Sequence, residues 1–247
     1  MLRFCLNKVE AVFNIEITRV SSHLSDLSPE VRETIERVRP CTMTSLDRLA
    51  SLSGAIEYAV ANRIPGAFVE CGVWKGGSTM AAALSYRRLK REDVDLFLFD
   101  TFEGMPQPGE EDICRSTGAP ARDILAESGN LSHMKCLAPI DEVRRNLQST
   151  GYPAERLHFV QGMVEDTIPA HAPEQISILR LDTDWYASTR HELEHLYPRL
   201  AKNGVLIIDD YGDWDGARKA VDEYFATMHL KPLLNRIDNT GRICVKP

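Results

Sequence analysis

Five short apolar runs recur along the chain, each closed by glycine or acidic positions. They are Ala67-Phe68-Val69-Glu70, Asp95-Leu96-Phe97-Leu98-Phe99, Leu157-His158-Phe159-Val160, Leu179-Arg180-Leu181 and Val205-Leu206-Ile207-Ile208. Runs this short, rich in Ile, Val, Leu and Phe, predict strands buried on both faces. Between them the apolar period changes to that of a helix. Ser28-Pro29 opens a helix through about Val38, with Ser as N-cap and Pro in the first turn. Thr44-x-x-Asp47 reads as a capping box before the stripe Leu49, Leu52, Ile56 and Val60. Helices are also predicted from Thr79 to about Arg88, near Asp141 to Leu147, and from Gly216 to about Met228. Thr189-Arg190-His191-Glu192 reads as a second capping box, followed by Leu193, Leu196 and Leu200. The tail reads as a hairpin around Asn239-Thr240-Gly241. Strand, helix, strand in alternation predicts α/β architecture: a mostly parallel sheet with an antiparallel C-terminal edge.

The same pattern sets the domain organisation. Residues 1–40 read as an N-terminal helical extension, with weak helical character over 1–27, and residues 41–247 as one domain. Within it, Phe102 to about Tyr152 is too long for an ordinary connection, and loops of that length are commonly lids. His133, inside this insertion, is a candidate acid or base, and an exposed loop histidine on the plainer reading.

Composition narrows the partners. The net charge is -7 over 247 residues with no basic run, which argues against nucleic acid. Six scattered cysteines form no C-x-x-C pair, so structural zinc is not expected. Met1 to Phe13 lacks the apolar core of a signal or membrane span. Reduced thiols and a cytoplasmic location, with no membrane partner, are the expectation.

The candidate chemistry lies where strands stop. Asp182 closes one run, and Asp209 and Asp210 close the next. A parallel crossover puts these tips side by side, at the sheet edge where α/β proteins bind ligands. Three crowded carboxylates repel unless a cation or proton intervenes, and oxygen ligands of this kind suit Mg²⁺. The plainer reading is that each caps the next helix. Asp184, two residues beyond Asp182, would face the other side if the strand continued. Earlier, Gly72, Gly76 and Gly77 form a turn that launches a helix, a place where backbone approaches a ligand closely. Asp100 ends the second strand, a common place for an acceptor of ribose hydroxyls. The spacing is not G-x-G-x-x-G, which disfavours a dinucleotide and leaves a nucleoside open. Met43 reads as core filler or as a ligand wall.

Together these segments resemble the macrocin O-methyltransferase (TylF-like) family. The resemblance rests on Phe68 to Ser78, Phe99 to Pro106, Gly162 with Val164 to Pro169, Leu181 to Asp184 and Ile208 to Tyr211. Thr42-Met43-Thr44-Ser45 is similar to the family's segment before the first core helix. It implies a Rossmann-like class I methyltransferase fold, use of S-adenosylmethionine, need for Mg²⁺, and a small-molecule hydroxyl acceptor such as a sugar on a natural product. It also implies an oligomer. It implies that Glu70, Gly72 and Ser78 surround the methionine part, Asp100 and Thr101 the ribose, and Gln161, Gly162 and Met163 the adenine, with Met43 beside them. Asp182, Asp209 and Asp210 then hold metal, and Asp182 is also the catalytic base. Met163 stands where the family commonly has Trp, and residues 107–135 and the first 38 match poorly. Three other readings compete: a glycosyltransferase using Asp182-Thr183-Asp184 as D-x-D, a non-catalytic binding module, and a nicotinamide-linked dehydrogenase.

Overall fold

The structure is a computed structural model that describes residues 25–127 and 136–247. Residues 1–24 of the predicted extension, and His133, lie outside the described residues. Seven strands form one sheet in the order β3-β2-β1-β4-β5-β7-β6. They are β1 (Ala67–Cys71), β2 (Leu96–Asp100), β3 (Leu157–Gln161), β4 (Ile176–Leu181), β5 (Leu200–Ile208), β6 (Asn235–Arg236) and β7 (Arg242–Val245). The first five are parallel, and β7 runs antiparallel to both β5 and β6. The strand order reverses between β1 and β4, so a crevice opens beyond their carboxyl ends.

Side-chain alternation divides the core in two. Phe68, Leu96, Leu98, Ile178, Val205 and Ile207 face α1 (Pro29–Val38), α2 (Leu46–Ala61) and α3 (Gly77–Arg88). Val69, Phe99, Leu179, Leu181, Leu206 and Ile208 face α6 (Val164–Thr167), α7 (Tyr186–Leu196) and α8 (Asp215–Thr227). Each such side chain, fully buried, contributes about 1.5–3 kcal/mol. The same period puts Glu70 and Arg180 on the first face of their strands, with Asp182 and Asp209 continuing that side beyond the strand ends.

Two helix starts differ from the sequence expectation. The N-cap of α2 is Ser45, whose Oγ accepts the Arg48 amide at 3.2 Å, rather than Thr44. Thr44 instead turns inward to Arg180 and Ser78. Helix α7 begins at Tyr186, so Thr189 and Glu192 lie inside it and form no capping box. Glu192 is fully buried, and its Oε1 accepts the Thr183 hydroxyl at 3.0 Å.

The 102–152 excursion carries α4 (Ala121–Glu127) and α5 (Ile140–Gln148). Its first part is tied down. Asp112 is buried and accepts the amides of Gly109 at 2.7 Å and Tyr186 at 2.8 Å. The Trp185 indole donates to Pro106 O at 3.0 Å. At the far end, Asn146 on α5 donates to Lys75 O at 2.8 Å, holding the glycine turn. No helix among the described residues is long and apolar enough to cross a membrane.

Candidate active site

The turn after β1 explains its glycines. Gly72 has φ 79°, and a Cβ there would stand 1.9 Å from the Asp182 carbonyl oxygen. No larger residue fits, because Asp182 N also donates to Cys71 O at 2.9 Å and brings the two strand ends together. Gly76 is left-handed at φ 86° and precedes α3, whose second residue, Ser78, lines the cleft. A Cβ on Gly77 would meet Cys41 O at 2.6 Å, so residues 41–45 lie directly over the turn.

A cleft of about 320 Å³ runs over these tips. Its walls include Met43, Glu70, Gly72, Ser78, Asp100, Thr101, Gly162 and Met163, together with Asp182, Asp209 and Asp210. Gln161 is the exception among the expected residues. It is exposed, lies outside the walls, and reaches only Thr101 O at 3.4 Å. Met43 is 52 % exposed, which rules out the core-filler reading and leaves it at the cleft wall.

Asp100 ties together the turns that follow β1 and β2. Its Oδ2 accepts the amides of Val73 at 2.6 Å and Trp74 at 3.1 Å, and its Oδ1 accepts that of Phe102 at 2.7 Å. Burial raises its pKa, and these backbone bonds oppose the rise. Asp100→Ala therefore loosens the turn itself, at about 1.5–3 kcal/mol per lost bond to the charged group. We expect weaker donor binding by calorimetry; unchanged affinity for S-adenosylmethionine would remove Asp100 from the donor site.

The acidic edge is built around an arginine that pattern reading passed over. Arg180 sits in β4 directly opposite Glu70 of β1 and is 2 % exposed. Its Nη1 donates to Glu70 Oε1 and Asp182 Oδ2, both at 2.6 Å. Its Nη2 donates to Asp209 Oδ1 at 2.6 Å and Thr44 Oγ1 at 3.0 Å. Burial opposes its charge, yet Asp182, Asp209 and Glu70 hold it protonated far above the usual range. The other oxygen of Glu70 accepts the Thr79 hydroxyl, so its carboxylate is fully engaged inside the fold. Arg48 from α2 pairs with the second oxygen of Asp209 and, at 3.0 Å, with Asp238.

Asp182, Asp209 and Asp210 each offer an oxygen, and the three atoms lie within 4.8 Å of one another. Two guanidinium groups reach Asp182 and Asp209, but among the described residues none is paired with Asp210. Asp210 is 8 % exposed, and its Oδ2 accepts the Asp184 amide at 3.2 Å. Burial, then the charges of Asp184 and Asp182, push its pKa well up. Burial likewise raises Asp209 to about 7, with Arg180 opposing. An all-oxygen set with uncompensated negative charge is what a hard divalent cation fits. Asp184 belongs to this edge as well. Its φ of 66° ends the strand geometry, so it does not turn away as continued extension predicts. It lines the cleft, and its Oδ1 accepts the Trp214 indole at 2.9 Å.

Residues 25–246 match the macrocin-O-methyltransferase (TylF) family. The chain is 34 % identical over 201 residues to the 8-demethyl-8-(2,3-dimethoxy-alpha-L-rhamnosyl)-tetracenomycin-C 4'-O-methyltransferase of Streptomyces olivaceus, covering 81 % of this chain and 73 % of that one. It is 32 % identical over 203 residues to the demethyldecarbamoylnovobiocin O-methyltransferase of Streptomyces niveus, covering 81 % and 73 %. Among solved structures, the O-methyltransferase NovP superposes with a TM-score of 0.73 at 30 % identity, covering 83 % of this chain and 82 % of that one.

Proposed function

From the premise that this chain belongs to the macrocin O-methyltransferase family and is an S-adenosylmethionine-dependent O-methyltransferase, we propose that it methylates a sugar hydroxyl on a natural product with the help of Mg²⁺. The single observation that carries the metal reading is the cluster of three carboxylate oxygens within 4.8 Å at the carboxyl edge of β4 and β5. Two relatives that act on a rhamnosyl tetracenomycin and a novobiocin precursor support the acceptor class. Assembly into a homo-oligomer and a cytoplasmic location belong to the same reading.

S-adenosylmethionine supplies an electrophilic methyl group on a cationic sulfonium. The donor-side residues are Gly72 and Ser78 at the turn and helix start, Asp100 and Thr101 after β2, and Gly162 and Met163 after β3, with Met43 over the mouth. Glu70 serves them indirectly, since its carboxylate is committed to Arg180 and Thr79. Asp182, Asp209 and Asp210 are the proposed holders of Mg²⁺. What a bound Mg²⁺ supplies is Lewis-acid chemistry, lowering the pKa of an alcohol oxygen. Asp182 is the proposed proton acceptor, because it is the least buried of the three and adjoins Gly72 at the turn. Fixed carboxylates also orient the hydroxyl, and orientation is a large part of such acceleration.

The test is transfer of labelled methyl from S-adenosylmethionine to a panel of rhamnosylated and other glycosylated acceptors, with and without EDTA. Transfer that needs a divalent ion and a free sugar hydroxyl supports the reading; transfer unaffected by EDTA would remove the metal from it. Part of the 102–152 excursion is further proposed to order over bound ligands. Limited proteolysis within it is expected to slow when donor and acceptor are both present, and equal rates would count against ordering.

The rival D-x-D reading fails on family membership, and Asp184 is also engaged by Trp214. The dehydrogenase and non-catalytic readings fall with it, since the relatives named above are O-methyltransferases.

A further inference from the structure

Asp209 is the most heavily paired carboxylate at the acidic edge. Its Oδ1 accepts from Arg180, and its Oδ2 from Arg48. Both oxygens already carry charge-assisted bonds, which are about twice as strong as neutral ones. A divalent cation shared by Asp182, Asp209 and Asp210 meets an Asp209 oxygen that already faces a guanidinium, and repulsion between two cations on one carboxylate favours displacing one of them. The two arginines are not equal candidates to yield it. Arg180 is 2 % exposed and is fixed by Glu70, Asp182 and Thr44 as well. The side chain of Arg48 is 16 % exposed and has a second carboxylate to hold it. Its Nε lies 3.0 Å from Asp238 Oδ2. Asp238 is itself pinned, accepting the Ser45 hydroxyl at 2.6 Å and the amides of Thr240 at 2.9 Å and Gly241 at 2.7 Å. A guanidinium is a rigid fork with several donors, so Arg48 can release Asp209 through Nη1 while Nε keeps Asp238.

We propose that Arg48 is a resident cation: it holds Asp209 in the metal-free protein and hands it to the metal, with Asp238 as the carboxylate that retains the displaced arginine. This rests on the reading of Asp182, Asp209 and Asp210 as a divalent metal site. Metal uptake is then an exchange of one cation for another. The affinity observed is that of the carboxylates reduced by the Arg48–Asp209 pair that must first open. Asp238, on the loop between β6 and β7, tunes that affinity without touching the metal.

The test is calorimetric titration of the purified full-length protein with Mn²⁺ alone, with neither donor nor acceptor present. Arg48→Gln is expected to bind Mn²⁺ about 2- to 150-fold more tightly, the range of coupling between groups in one ion-pair network. Arg48→Lys keeps the charge but loses the fork, and is expected to fall between the two. It also serves if the Gln variant does not fold by circular dichroism. Asp238→Asn is expected to weaken Mn²⁺ binding in the wild-type background and to have far less effect once Arg48 is Gln. A wild-type protein that binds no Mn²⁺ overturns the metal reading and the exchange together. A wild-type protein that does bind, with Arg48→Gln equal or weaker, overturns the exchange alone. So does Arg48→Lys at the wild-type affinity, or an equal loss from Asp238→Asn in both backgrounds, since each is what a plain field effect gives.

Discussion

Asp182→Asn is expected to lower methyl transfer by roughly 10²–10⁴-fold, the range lost with a general base. The substitution keeps the volume and one oxygen while removing the charge and the basicity. Asp182 is suited to the test because Arg180 touches only its Oδ2, at 2.6 Å, and its side chain is 27 % exposed toward the cleft. Donor affinity should survive, since the proposed donor-side residues, Met43 apart, are carried by β1, β2 and β3 and the segments that follow them. Excess Mg²⁺ should not rescue turnover. Asp210→Asn should behave differently: it removes the carboxylate that has no ion-pair partner among the described residues, so it should weaken metal binding and recover some activity in excess metal. Asp182→Asn turning over at the wild-type rate would sink the assignment of the base. A full rescue by Mg²⁺ would reduce Asp182 to a ligand.

The second large effect concerns stability. Arg180→Met is expected to destabilise the protein by about 3–5 kcal/mol, as when one partner of a buried ion pair is removed. The thioether matches much of the arginine stem but leaves Glu70, which is 1 % exposed, without its cation. It also strips one of two guanidinium groups from Asp209. For a chain of this size the melting temperature should fall by roughly 6–20 °C. Urea unfolding with an unchanged slope would give the free energy directly. A loss below about 1 kcal/mol would show that the network contributes little beyond what the apolar stem supplies. A double change of Glu70 to Gln with Arg180 to Met should cost less than the sum of the two single changes, because the orphaned charge is then gone.

Strands β1, β2, β4 and β5 were readable because each is an apolar run largely covered on both faces, and such a strand leaves no other pattern to follow; β3, at the sheet edge, is only half-buried, and its apolar run alone marks it. The acidic tips were readable for the same reason, standing where the runs stop. The helix starts at Ser45 and Tyr186 were not. Thr44 and Thr189 carry the right side chains for caps, but Arg180 draws Thr44 inward, and the tight turn at Asp184 starts α7 before Thr189 is reached. Arg180 itself was passed over as one polar position in a buried run. The signal was nevertheless present. An arginine inside a fully buried strand needs a counter-charge, and the neighbouring buried strand carries one acid, Glu70, in register with it. Alternation turns Asp184 away from Asp182 only while the backbone stays extended, and the positive φ that ends the extension cannot be read from the letters Asp-Thr-Asp. Arg48 lies outside any local pattern, since its partners Asp209 and Asp238 are 161 and 190 positions away and only the folded sheet edge joins them.

The hairpin of β6 and β7 bears on how this protein can be shortened. It sits at the margin of the sheet, and β6 spans only two residues, so it invites removal by anyone engineering a minimal catalyst. Yet β7 covers the whole edge of β5 from Val205 to Ile208, and the loop before it supplies Asp238 to α2. Ending the chain after α8 would uncover a hydrophobic edge strand, open to pairing with other chains. It would also untether the arginine that leans on Asp209. The C-terminal appendage is thus the fold's closing seam, and a compact version of this enzyme has to be trimmed elsewhere.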